Sequence, residues 1–139
     1  MRPRMIEVPD NSEEINALAC ERGWSDGLPI VPPTEDRVQR VLGYLKRDPN
    51  EVVATLPPRM GAATVLHIAI NAVMAGCLPE YVPVVIAAIE AVADPKFNLQ
   101  VIETDGNPAA PLTIVNGPVR KSIKMNWGRN ALGHGNRAN

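Results

Sequence analysis

The sequence predicts a mixed fold, α/β or α+β, helix-rich in its N-terminal half with a small sheet in its C-terminal half. Three observations predict it. Apolar residues at helical spacing recur through the first two thirds of the chain, most clearly at Val38, Val41, Leu42 and Leu45. Short runs of strand-forming residues, EVVATL, FNLQVIET and PLTIVNG, stand beside Pro-Pro, Asp-Gly and Asn-Gly turn signals. The composition is that of a globular body, 45% hydrophobic and 21% charged. A chain of 139 residues is long enough for one domain with a buried core. It is expected to form either a single domain over residues 1–139 or the N-terminal part of a larger α/β unit. With one Phe, two Tyr and two Trp, the core must rest on Val, Ile, Leu, Ala and Met. The 14 prolines, about twice the usual share, are spread as helix starters and turn makers.

The elements follow in order. PDNSEEINALACERG opens a first helix: Asp10 or Asn11 caps it, Glu13 or Glu14 takes the capping-box position, and Gly23 ends it in a left-handed turn. In WSDGLPIVPP, Asp26-Gly27 signals a turn and three prolines force extended backbone. Thr34 caps a second helix, TEDRVQRVLGYLKR, with Glu35 and Asp36 in its first turn and Lys46 and Arg47 in its last, as the helix dipole prefers. EVVATL is a short strand stopped by Pro57-Pro58. GAATVLHIAINAVMAGC is a buried helix with Thr64 as cap and Gly76 at its end. LPEYVPVVIAAIEAVADP is a fourth helix, with Pro79 and Pro83 near its start and Asp94-Pro95 closing it. FNLQVIET and PLTIVNG, joined by DGNP, make a possible β-hairpin. The sum is four helices and three or four strands.

Composition excludes some functions. The opening MRPRMIEVPDNSEE lacks the apolar run of a secretory leader, and VPVVIAAIEAVA is too short to span a bilayer and holds Glu90. A cytoplasmic setting with free thiols at Cys20 and Cys77 is expected, with no membrane association. Formal net charge is −1, but no carboxylate follows Asp105, whereas Arg120, Lys121, Lys124, Arg129 and Arg137 do. This basic quarter fits either an acidic partner or an anion site. Basic residues and stacking aromatics are too few for nucleic-acid binding.

Several residues can carry chemistry. Cys77, in AGCLPEY, falls between one helix end and the next helix start. A thiol near a helix N-terminus is expected to have a lowered pKa and act as a nucleophile, and the alternative is a small packing hydrophobe. Cys20, beside the apolar stripe of the first helix, is expected to pack. The two cysteines fit no zinc pattern, so no metal is expected. His67 lies in the apolar helix with Asn71 one turn later. It reads as a core residue satisfied by one hydrogen bond, with a role as base or cofactor contact as the alternative. His134, between Gly133 and Gly135, suits acid–base work or merely decorates a loop. Asn116 ends a strand candidate, where α/β sheets bind ligands. Asn126, Arg129, Asn130, Asn136 and Arg137 supply donors suited to a carboxylate or phosphate. Trp127 either stacks on a ligand or covers core. Asp26 is expected to make its turn and Glu80 to sit at a helix N-terminus, either being a carboxylate acid–base if the fold brings it beside Cys77. Gly133, Gly135 and Ala138 match G-x-G-x-x-A without the flanking strand and acidic residue that a dinucleotide site needs, and no Gly-Lys-Ser/Thr occurs. The cofactor is left open.

The strings ACERGWSDGLPIVPPTEDRV, NAVMAGCLPEYVPVVIAAIEAV, PAAPLTIVNGPV and NALGHGNRAN resemble a bacterial family of poorly defined function. Some of its members occur beside proteins of the UGSC selenoprotein-like group. The resemblance spans nearly the whole chain. It implies a longer polypeptide in which the stretch after Asn139 continues into a helix and further α/β structure. It favours Cys77 and the closing Gly/Asn loop as site positions and assigns no catalytic role.

The leading functional expectation is a subunit of a heteromeric enzyme. It would act on a small anionic organic molecule by hydrolysis or elimination, at a site shared with a second polypeptide that completes the fold. Cys77 and His134 would be catalytic; Asn116, Asn126, Arg129, Asn130, Asn136 and Arg137 would hold the substrate. One alternative is the leading chain of a hydrolase cleaved by itself after Asn139, freeing a Thr, Ser or Cys nucleophile on the partner. Another is a non-catalytic subunit whose basic tail clasps an acidic companion. A chain that simply stops short is a third origin for its end.

Overall fold

The structure, a computed structural model, describes residues 4–104, 106 and 109–133. Among these the fold is mixed α+β: six α-helices and one two-stranded antiparallel sheet. The elements are α1 (Ser12–Glu21), α2 (Glu35–Leu45), β1 (Val52–Leu56), β2 (Gly61–Thr64), α3 (Val65–Met74), α4 (Val82–Ala93), α5 (Leu99–Thr104) and α6 (Pro118–Ser122), with single 3-10 turns at Pro79–Tyr81 and Pro95–Phe97.

The first two helices form where capping and periodicity place them. Asn11 is the N-cap of α1: its Oδ1 accepts from the Glu13 amide at 2.9 Å and its Nδ2 donates to Glu14 at 3.1 Å. At the other end Gly23 adopts φ +65, the Gly23 amide donates to Cys20 and the Trp24 amide to Ala19. That pair of bonds is the Schellman closure, which satisfies carbonyls a helix end otherwise leaves bare. In α2, Val38, Val41 and Leu42 are buried and Leu45 packs against them, the four positions of the apolar stripe. The helix stops two residues earlier than its charge pattern suggests. Lys46 takes a left-handed conformation as the C-cap, and Arg47 turns away to pair with Glu51.

The sheet lies mid-chain, which corrects the expected C-terminal sheet. β1 occupies EVVATL as predicted, but its partner is GAAT, the stretch read as the head of the third helix. Ala54 faces Ala63, Thr55 faces Ala62 and Leu56 faces Gly61, with the register shifting between Val52 and Ala54. Gly and Ala carry little strand preference of their own, so pairing with β1 decides the conformation of this stretch. Thr64 then ends β2 opposite Val52 and caps α3 with no intervening residue. The first amides of α3 are met in turn: Val65 by the Glu51 carbonyl and Leu66 by the Pro49 carbonyl, each at 3.0 Å, and His67 by Thr64 Oγ1 at 3.2 Å.

FNLQVIET is not a strand. Asp94 caps the 3-10 turn through the Lys96 amide, Asn98 takes a left-handed conformation, and the chain continues as helix α5 with Leu99 buried. PLTIVNG has no strand pairing among the described residues, so no C-terminal hairpin is present there.

The core is aliphatic, as the scarcity of aromatics requires. It joins Val38, Val41 and Leu42 of α2, Val65, Ile68, Ala69, Ala72 and Val73 of α3, and Val82 and Ile86 of α4. Helix α3 packs on α2 and α4, and α4 also covers β1. The proline-rich segment before α2 is a strap: the Ile30 amide donates to Asn16 Oδ1 of α1, and the Val31 amide donates to the Met74 carbonyl of α3. No helix of the described residues is long and apolar enough to cross a membrane.

Candidate functional site

Two regions hold the predicted site residues. The first is the end of α3. Gly76 adopts φ +84, its amide donates to Val73 at 2.9 Å, and the Cys77 amide donates to Ala72 at 2.8 Å. This is a second Schellman closure, and Cys77 occupies the position whose side chain folds back onto the helix it terminates. Accordingly Cys77 is half-buried and packs against the aliphatic core. Burial pushes its thiol above the ordinary value, the opposite of the lowering expected from a helix N-terminus. The reason is local: the residue belongs to the C-terminal end of α3, and a 3-10 turn stands between it and α4. Cys20 also departs from expectation, being exposed on α1 rather than packed.

His67 is exposed rather than a core residue. Its Nδ1 lies 3.1 Å from the Ala62 carbonyl, so the tautomer with hydrogen on Nδ1 donates there, and Asn71 Nδ2 donates to the His67 carbonyl at 2.9 Å. Asp26 shapes its turn: the Leu28 amide reaches its Oδ1 at 3.4 Å, and Ser25 Oγ donates to the Leu28 carbonyl at 2.6 Å. Glu80 is exposed in the 3-10 turn that leads into α4.

The second region is residues 116–133. Asn116 does not end a strand. It precedes Gly117, at φ +87, which leads into the short helix α6. That helix closes as α1 and α3 do: the Lys124 amide donates to Lys121 at 3.1 Å and the Met125 amide to Arg120 at 3.0 Å. Here the left-handed position is Lys124, φ +54, where glycine is usual. Beyond it Asn126 holds a tight turn, its Oδ1 accepting from the Gly128 amide at 3.1 Å and its Nδ2 donating to the Arg129 carbonyl at 3.3 Å. Asn130 is left-handed as well, and a Cβ added at Gly133 would overlap its carboxamide.

Trp127 lies inside the Asn126 turn. The Arg120 guanidinium carbon lies 4.6 Å from the Trp127 ring centroid, a cation–π stack. Arg120 Nε is buried and has no hydrogen-bond partner. Trp127 remains 55% exposed. It lines an open surface depression of about 650 Å³ together with Lys121, Lys124, Met125, Asn126 and Gly128. Among the described residues no carboxylate pairs with Lys121, Lys124 or Arg129. The depression is therefore lined by two lysines, a methionine, Trp127 and an asparagine whose carboxamide is engaged in its own turn.

Of the donors expected to hold a substrate, Asn126 lines the depression beside Lys121, Lys124 and Trp127, and Arg129 meets Asn126 only through the backbone carbonyl that Asn126 binds. Cys77, Asn116, Arg129 and Asn130 are not among the lining residues. His134, Asn136 and Arg137, with the Gly133–Ala138 pattern and Asn139, lie wholly or partly outside the described residues. In the sequence the two lysines stand out only as part of the basic quarter. The i, i+3 spacing of Lys121 and Lys124 and the proximity of Trp127 were the available signal. Among the described residues no group of three or more His, Cys, Asp or Glu side chains could hold a metal ion. No family model, curated protein or solved structure matches this chain.

Proposed function

We propose that the chain is a subunit of a heteromeric enzyme acting on a small anionic organic molecule by hydrolysis or elimination, and that residues 117–133 are its anion-binding part. The observation that carries this reading is the pair of lysines around the Trp127 depression, Lys121 and Lys124, with which no carboxylate of the described residues pairs. Ammonium groups without internal partners attract an external anion, and a fixed indole gives it an edge to lie against. A second polypeptide accounts for the apolar side chains exposed in the same part of the chain, Leu112 at 69%, Ile114 at 74% and Leu132 at 91%.

The test is titration of the chain with inorganic phosphate and with succinate, followed by the shift of the Trp127 indole N–H resonance. Saturable binding that falls at least fivefold in Lys121→Ala/Lys124→Ala is expected. The absence of saturable binding by either anion ends the reading.

The non-catalytic alternative draws support from Cys77, whose seat in a helix closure and raised thiol pKa suit packing better than nucleophilic attack. Turnover by the reconstituted assembly separates the two readings. Activity that survives Cys77→Ala removes the thiol from the mechanism, and an assembly with no turnover on any small anion favours the non-catalytic subunit.

A further inference from the structure

The anion held at residues 117–133 has a recognisable shape, an inference that rests on the anion-binding reading. We infer that the depression selects planar aromatic carboxylates, with the ligand ring stacked on Trp127 and its carboxylate placed between Lys121 and Lys124. Arg120 stacks on Trp127 yet is absent from the lining of the depression. The part of the ring that lines it is therefore the part that Arg120 leaves free. The ring is also braced, by the Arg120 guanidinium 4.6 Å from its centroid and by a fixed backbone beneath it. The backbone before it is fixed by the Met125–Arg120 hydrogen bond, and the backbone after it by the Asn126–Gly128 hydrogen bond. A pre-positioned aromatic face loses little freedom on binding, so stacking adds to affinity instead of being spent on ordering. Met125, on the same lining, supplies a polarisable thioether suited to an aromatic neighbour. The ammonium groups of Lys121 and Lys124 attract the carboxylate as point charges, without the fixed fork of a guanidinium. A depression of about 650 Å³ has room for a one-ring acid.

The test uses the whole chain carrying Trp24→Phe, so that Trp127 is the sole tryptophan, with folding checked by circular dichroism. Benzoate, cyclohexanecarboxylate and inorganic phosphate are titrated separately and followed by the Trp127 indole resonance and by ligand-observed saturation transfer. Benzoate should bind about three- to tenfold tighter than cyclohexanecarboxylate, its match in size and charge. Trp127→Leu should erase that preference, as read by saturation transfer, so that the two acids compete equally for whatever binding the variant retains. Equal affinity for the two acids overturns the aromatic selection and leaves the anion reading standing. No saturable binding by benzoate, cyclohexanecarboxylate or phosphate overturns both.

Discussion

The backbone amide of Cys77 donates a 2.8 Å hydrogen bond to the carbonyl of Ala72, and Gly76 between them supplies the left-handed turn that makes the bond possible. This relationship seats the thiol against the core and makes Gly76 the sensitive position. Gly76→Ala should cost about 1–2 kcal/mol, because an L side chain resists positive φ. The shift in urea midpoint checks it. Thiol labelling of the native protein at neutral pH should modify exposed Cys20 quickly and Cys77 slowly. Equal rates would remove Cys77 from the core.

The raised Cys77 pKa has a consequence for stability at alkaline pH. The folded protein keeps this proton to higher pH than the unfolded chain does. The unfolded state therefore deprotonates first, and stability declines as pH rises past the ordinary thiol value of 9.0. Chemical denaturation across pH 8–11 should show a steeper alkaline decline for the natural protein than for Cys77→Ala.

Arg47 and Glu51 give the opposite limb. The side-chain hydrogen bonds from Arg47 hold the Glu51 carboxyl below its usual value. The stabilisation is present above the usual carboxylate range and lost as pH falls through the lowered value. Both groups face water, so the effect is small and is screened by salt. Denaturation midpoints should fall less between pH 6 and pH 3 in Glu51→Gln, and the difference from the natural protein should shrink in 1 M NaCl.

Two threonines cap helices and should respond differently to removal. Thr64 Oγ1 accepts from the His67 amide, whereas Thr34, the N-cap of α2, makes no side-chain capping bond. Thr64→Ala should cost about 1 kcal/mol, and Thr34→Ala clearly less. Paired thermal melts of the two variants check the ordering.

Helices were legible where period and cap agree. The α2 stripe of Val38, Val41, Leu42 and Leu45 is the clearest case, and Asn11, Gly23, Thr64 and Gly76 mark helix limits as their residue types suggest. Strands were less legible, because strand formation depends on a partner that local sequence does not reveal. Ala62 and Ala63 become β2 only because β1 lies beside them, while Leu112 and Ile114 have strand chemistry and no pairing among the described residues. The run around Val101 is too short for periodicity to separate helix from strand, and the left-handed Asn98 before it sets the outcome. At the candidate site, residue type alone marks Asn126, Arg129 and Asn130 as possible donors, and of these only Asn126 lines the depression. Backbone duty was not legible: Asn126 uses its amide to hold the turn, and Trp127 and the two lysines present the surface.

Thr64 closes the hairpin against Val52 and begins α3 at the next residue. A junction with no spacer has no place to bend, so hairpin and helix open as one cooperative unit. Amide hydrogens in 52–56 and 61–74 should then exchange with a shared opening free energy, while those of α1, joined to the rest through the Ile30–Asn16 tether, exchange on a schedule of their own.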